Sequence, residues 1–143
     1  MQNLPTKLYT AQQSRELDRI AITEYGIAGI SLMQKAADAV WKEISERWAT
    51  ISTLCIFCGA GNNAGDGYWV GTLALQAGLK VKVYSLTELD KLSGDALAAC
   101  KIYQKSGGNS SCSRVRTDEG SLSRLLRRAM RAMPDDLASA VSQ

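Results

Sequence analysis

Residues 51–78 read ISTLCIFC, then GAGNNAGDG, then YWVGTLALQAG, and the order of those three pieces decides the fold. Ile51 to Cys58 is a short apolar run without clean alternation, as in a parallel strand covered on both faces. Gly59 to Gly67 breaks the strand, and Tyr68 to Ala77 reads as a short helix with Gly78 just past its end. A strand that passes through glycine-rich backbone into a helix start makes an anion site. Glycine lets a ligand come close to the chain, and the free N–H groups of the first helical turn point at it. Residues 51–78 are therefore the nucleotide-site core of an α/β protein.

Two readings compete for this loop. As G-x-G-x-x-A, Gly59 to Ala64 matches a dinucleotide fingerprint, with Glu88 after the next strand placed to bind a ribose. That reading leaves Asn62, Asn63 and Asp66 without a role and sets Asp66 against a pyrophosphate of like charge. A P-loop is excluded, because no Gly-Lys-Ser/Thr follows. The other reading uses every polar residue. Asn62 and Asn63 offer amide oxygens and donors to a cation or a ligand hydroxyl, and Asp66 caps the helix or touches a hydroxyl.

Working outward, Thr10 and Gln13 form a T-x-x-Q capping box, with Leu17, Ile20, Ala21 and Tyr25 at helical spacing and Gly26 as the stop. After a turn over residues 26–30, Ser31 and Gln34 predict a second capped helix. Met33, Ala36, Ala37, Val40, Trp41, Ile44 and Trp48 are its core stripe. Lys80 to Leu86 is a second strand with Val81 and Val83 on one face. Ser93 to Lys105 is a helix using Leu97, Ala98, Lys101 and Ile102, ended by Gly107 and Gly108. The order α-α-β-α-β-α is half of a doubly wound sheet preceded by two helices.

A third strand should follow Gly108, but Asn109 to Thr117 is polar and gives no strand signal. Usage of basic residues changes there too: eight Lys and three Arg precede Ser106, and no Lys but six Arg follow it. The chain divides accordingly into residues 1–109 and an Arg-rich tail, residues 110–143. Within the tail, Leu122, Leu125, Leu126, Ala129, Met130 and Met133 share one face of an amphipathic helix over residues 121–133, with Arg124, Arg127, Arg128 and Arg131 opposite. Such a helix docks on the body with its arginines solvated, or else engages an anionic membrane or an acidic partner. A sheet cut short leaves an edge strand and one face open, which favours dimerisation or aggregation.

Composition narrows the chemistry. The 143 residues, 45% hydrophobic and 22% charged, suit one soluble domain. No run reaches the ~18–20 apolar residues of a membrane span, and Met1 to Lys7 lack the pattern of a secretory signal, so the cytoplasm is the expected compartment. A net charge of +3 does not point to nucleic acid. No histidine is present, which excludes Ser-His-Asp and Cys-His catalysis and His-bearing zinc sites. Cys55 and Cys58 are spaced as CxxC, but inside a strand positions i and i+3 face opposite ways, so the pair is read as structural rather than redox-active.

The segment CGAGNNAGDGYWVG, Cys58 to Gly71, resembles the NNGGDG signature of the YjeF N-terminal domain, the NAD(P)HX epimerase family. Tyr9 to Ile27 and Ser31 to Val40 resemble that family's opening helix pair, and the likeness runs over about residues 8–109. Ala64 stands where the signature has glycine, a small change if φ is negative there. The resemblance implies a Rossmann-like three-layer α/β/α sandwich with a mostly parallel sheet, its C-terminal half missing from this chain. It implies epimerisation of the R and S hydrates of NADH and NADPH, with Asn62, Asn63, Ala64, Gly65 and Asp66 binding the hydrate and Asn63 a ligand of a potassium ion.

The family's later D-A-L-x-G-T-G segment does not occur here, so the resemblance assigns no catalytic residue to Asp118, Asp135 or Asp136. A shifted reading frame or foreign sequence after residue 109 is one expectation that covers these departures. The alternatives to an epimerase are a non-catalytic nucleotide- or phosphate-binding module and a dinucleotide-dependent oxidoreductase. No nucleic-acid or membrane partner is expected, and a homodimer is one expected state.

Overall fold

The structure is a computed structural model that describes residues 8–112. Its elements run α1 (Ala11–Thr23), α2 (Gly29–Arg47), β1 (Thr53–Cys58), α3 (Asn62–Gln76), β2 (Lys80–Ser85), a 3-10 turn (Leu89–Lys91), α4 (Gly94–Lys105) and β3 (Ser110–Cys112). The tail helix expected over residues 121–133 lies outside the described residues.

The capping box of α1 is present as read: the Gln13 amide donates to the Thr10 hydroxyl at 3.2 Å, and the Gln13 side chain accepts from the Thr10 amide at 2.9 Å. The one expected at Ser31 is not. Helix α2 begins at Gly29 with Ala28 as its N-cap, and the Ser31 amide already donates to the Ala28 carbonyl at 2.9 Å. A capping serine needs non-helical backbone, and Ser31 is inside the first turn. Of the predicted stripe, Met33 and Ala37 are buried, while Val40 and Trp48 stay about half exposed at 49% and 55%.

Strands β1 and β2 pair in parallel from Thr53 with Lys80 to Cys58 with Ser85. The third strand, which carries no apolar signal in the sequence, exists. Ser110 to Cys112 pairs in parallel with Val83 to Ser85, giving the order β1-β2-β3. A ladder is made by backbone amides, so three polar residues suffice to add one. Gly107, at φ 87, ends α4 in the left-handed region, as expected, and the Tyr103 hydroxyl donates to the Asn109 carbonyl at 3.5 Å, pinning the approach to β3.

Right-handed crossovers taken twice in the same direction put α3 and α4 on the same face of the sheet. That face holds the main core: Met33 of α2, Tyr68 of α3, Ala96, Ala99, Cys100 and Tyr103 of α4, and Ile56, Cys58, Val81 and Val83 of the strands. The buried side of α4 is thus not the one predicted; Lys101 is exposed and Ala96, Ala99, Cys100 and Tyr103 turn inward. Small residues there admit α3 closely, a need that hydrophobicity alone does not signal. The other face of the sheet gathers Cys55, Phe57, Tyr84 and Leu86 into a separate small cluster in which no described helix takes part. The fold is α/β and matches one half of a Rossmann-like sheet, with two of its layers among the described residues.

Candidate functional site

The glycine loop is shorter than its sequence suggests. Only Gly59, Ala60 and Gly61 separate β1 from α3, and residues 62–67 are already helical. Glycine inside a helix costs about 1 kcal/mol against alanine, and three positions show what offsets it. A Cβ at Gly65 would strike Met33 of α2 and lie 3.0 Å from the Ala96 Cα of α4. One at Gly67 would lie 2.7 Å from the Cys58 sulfur, and one at Gly71 3.0 Å from the Tyr103 ring. The glycines of the second half of the motif therefore seat α3 between the sheet, α2 and α4. Gly59 and Gly61 differ: a Cβ at either would meet open space, so the backbone there lies open to an approaching ligand. Ala64 has negative φ, the condition under which its replacement of glycine is a small change.

Asn62, Asn63 and Asp66 line one cleft of about 210 Å³. Its other polar residues are Asp18 of α1 and Asp95 of α4, and Ile22, Leu32, Met33 and Ala36 make its apolar wall. Ala64 and Gly65 are buried on the inward side of α3, so any contribution from them is made by backbone. Glu88, the ribose ligand of the dinucleotide reading, is not in the cleft and lies 3.7 Å from Lys91.

The starts of three helices meet at this cleft: Gly29 of α2, Asn62 and Asn63 of α3, and Asp95 in the first turn of α4. None of these helices has a side-chain cap, in contrast to α1. Helix starts carry the positive end of the helix dipole, and although the Ser31 and Ala64 amides donate to the Ala28 and Gly61 carbonyls, three such ends meet at the cleft. Against them stand three carboxyl groups and no basic side chain. Burial, and then the Asp18 carboxylate, push the Asp66 carboxyl above the ordinary aspartate range. Asp66 is the fifth residue of α3 and does not cap it. The cleft offers hydrogen-bond donors, amide oxygens and a carboxyl group that accepts a proton readily.

Of the residues lining the cleft, the sequence singles out Asn62, Asn63 and Asp66 but not Asp18, Asp95 or Gly29. Asp18 and Ile22, one turn apart on α1, both reach the cleft, yet nothing in their spacing links them to a loop more than forty residues on. A Cβ at Gly29 would strike the Asp95 carboxylate, so that glycine makes room for a neighbouring helix. The two CxxC thiols are divided by the sheet as expected. Cys58 lies in the helix-side core, where burial and then Cys100 push its thiol up to about 12, and Cys55 packs with Phe57 and Tyr84 on the other face.

A parallel half-sheet with a cleft beside the carboxyl end of its first strand defines an α/β protein of the Rossmann-like kind. Residues 29–132 match the family model described as YjeF-related protein N-terminus, and the chain belongs to that family. The match begins at the start of α2 and continues past residue 109, where basic-residue usage changes. The chain is 40% identical over 101 residues to the bifunctional NAD(P)H-hydrate repair enzyme Nnr of Coxiella burnetii, covering 71% of this chain and 20% of that protein. It is 38% identical over 109 residues to the NAD(P)H-hydrate epimerase of Rhodobacter capsulatus, covering 71% of this chain and 51% of that one. A third relative, the NAD(P)H-hydrate epimerase of Rhodopirellula baltica, is 34% identical over 98 residues, or 40% of its length. The chain spans about half or less of the relatives it matches.

Proposed function

We propose that this chain acts as an NAD(P)H-hydrate epimerase, interconverting the R and S hydrates of NADH and NADPH. The observation that carries the reading is the gathering of Asn62, Asn63 and Asp66 of the family signature into one cleft at an uncapped helix start. In this reading the exposed loop backbone at Gly59 and Gly61 and the first-turn N–H groups of α3 hold phosphate or hydroxyl oxygens. Asn62 and Asn63 orient the hydrated ring, which lies against Ile22, Leu32 and Met33. Inverting a carbon that bears a hydroxyl needs a group that takes and returns a proton, and Asp66, with its raised affinity for one, fills that role opposite Asp18.

Potassium enters as part of the proposal. Among the described residues no group of three or more Asp, Glu, Cys or His side chains could hold a metal ion. Neutral amide oxygens such as that of Asn63 suit a large monovalent cation, which would supply a diffuse positive charge when bound. We place the activity in the cytoplasm, with a homodimer as its working form; no described helix is long and apolar enough to cross a membrane.

The test is conversion of each purified hydrate, NADH and NADPH forms separately, with potassium present or replaced by sodium. Interconversion that depends on potassium supports the reading; none under either salt refutes it. A non-catalytic binding module is the second reading, favoured by the lack of a D-A-L-x-G-T-G segment in this chain. Thermal stabilisation by a hydrate without conversion would select it, and tighter binding of intact NADH or NADPH would favour a dinucleotide oxidoreductase.

A further inference from the structure

The cleft that gathers Asn62, Asn63 and Asp66 is small and acidic. Its volume of about 210 Å³ lies below the roughly 300–1,000 Å³ of pockets that enclose a whole drug-sized ligand. It holds a substituted ring and at most the sugar attached to that ring. Asp18, Asp66 and Asp95 line it, and among the described residues no basic side chain does. None of the three has a hydrogen-bond or ion-pair partner among the described residues. Unspent carboxyl oxygens accept from hydroxyl groups and repel phosphate.

Asp95 also closes two of the three helix starts to an anion. It is the second residue of α4, and a Cβ at Gly29, the first residue of α2, would strike its carboxylate. A carboxylate there meets the positive ends of both helices itself. The start of α3 differs: the backbone before it lies open at Gly59 and Gly61, and Asp66 stands a turn further on. Phosphate has its place at that loop, which does not line the cleft. The cleft is left to an uncharged group that carries hydroxyls. We propose that it recognises the hydrated nicotinamide and its ribose alone, so that the hydrates of reduced nicotinamide riboside and reduced nicotinamide mononucleotide are substrates too. Asp95, placed by Gly29, accepts from a ribose hydroxyl. This rests on the epimerase reading and narrows what the site must see. The inverted carbon is the same in every one of these hydrates, and the adenylate half takes no part in the bond changes. Held at the loop, that half is bound equally in ground and transition states, so its loss raises KM and spares kcat.

The test uses the full-length chain and purified hydrates of NADH, reduced nicotinamide mononucleotide and reduced nicotinamide riboside, with R and S forms separated. For the two smaller hydrates kcat should lie within about tenfold of the NADH hydrate value. Their KM should rise, more for the riboside than for the mononucleotide, which keeps one phosphate. If NADH hydrate is converted while the smaller hydrates are inert, or slower in kcat by more than about tenfold, the proposal is overturned and the epimerase reading stands. Conversion of no hydrate ends both. Asp95→Ala should raise KM for the NADH and riboside hydrates by the same factor, about tenfold, the worth of a hydrogen bond to a charged group. Its kcat and thermal midpoint should stay close to those of the unaltered protein. An unchanged KM overturns the role of Asp95. If Asp95→Ala does not fold, Gly29→Ala decides, because its added methyl displaces only the end of the Asp95 side chain. The same rise in KM is expected there, and an unchanged KM again overturns that role.

Discussion

Gly65 of α3 passes Ala96 of α4 at a distance that leaves no room for a side chain: a Cβ at position 65 would stand 3.0 Å from the Ala96 Cα and would also strike the Met33 sulfur. Backbone cannot give way as a flexible side chain can. Gly65→Ala should therefore destabilise the protein by about 1–3 kcal/mol, the cost of overpacking a core. Gly59→Ala, where a Cβ meets open space, should stay within about 0.5 kcal/mol. Urea unfolding of both variants distinguishes the two halves of the glycine motif; equal losses would refute the division.

Asn62 and Asn63 are exposed at the mouth of the cleft, so their removal should spare the fold. Asn62→Ala and Asn63→Ala are each expected to shift stability by less than about 0.5 kcal/mol. Each should lower kcat/KM for hydrate epimerisation roughly 2–10-fold, the worth of one hydrogen bond. Unchanged turnover in both variants would remove these residues from the site.

Asp66 predicts a pH dependence. Burial and Asp18 raise its carboxyl above the aspartate range, so its stabilising contribution is complete below the ordinary aspartate value and lost as pH rises through the raised one. At neutral pH the charged form is a penalty. Asp66→Asn should be more stable than the unaltered protein at pH 7, by less than about 1 kcal/mol because the group is partly solvated. The gain should vanish on acidification, and activity should fall. A variant that is less stable at pH 7 would show that Asp66 has a partner favouring its ionised form.

Cys58 should be inert. Its thiol is pushed up to about 12 and sits on the opposite side of the sheet from Cys55. Oxidised glutathione at pH 8 should form no Cys55–Cys58 disulfide, and alkylation of Cys58 should require urea. A Cys55–Cys58 link in native protein would contradict the strand geometry.

Much of this was legible in the chain itself. The strand at residues 53–58, the break after Cys58, the strand at residues 80–85 and the helix stop at Gly107 all follow from apolar runs and glycine placement. Asn62, Asn63 and Asp66 stand out in the chain as the polar residues of the glycine-rich break, but that the last lies three and four residues after the others on one helix, and so beside them, needed the structure. Two readings failed for lack of neighbours. Glycine-rich residues 62–67 look like loop until Met33, Cys58 and Ala96 are seen to occupy the space their side chains would need. Strand β3 carries no side-chain signal, because a backbone ladder beside β2 holds it.

Local chemistry thus determined which segment is the glycine-rich break lining the cleft and which of its residues are polar, since caps, strand alternation and glycine breaks act within a few residues. Which other groups surround that segment was decided only by packing. Asp18 and Asp95 come to Asp66 from helices on either side of it in the chain, brought there by the burial of Met33, Tyr68 and Tyr103 in one core. Burying those side chains fixes how the helices cross, and that crossing turns a signature into a cleft.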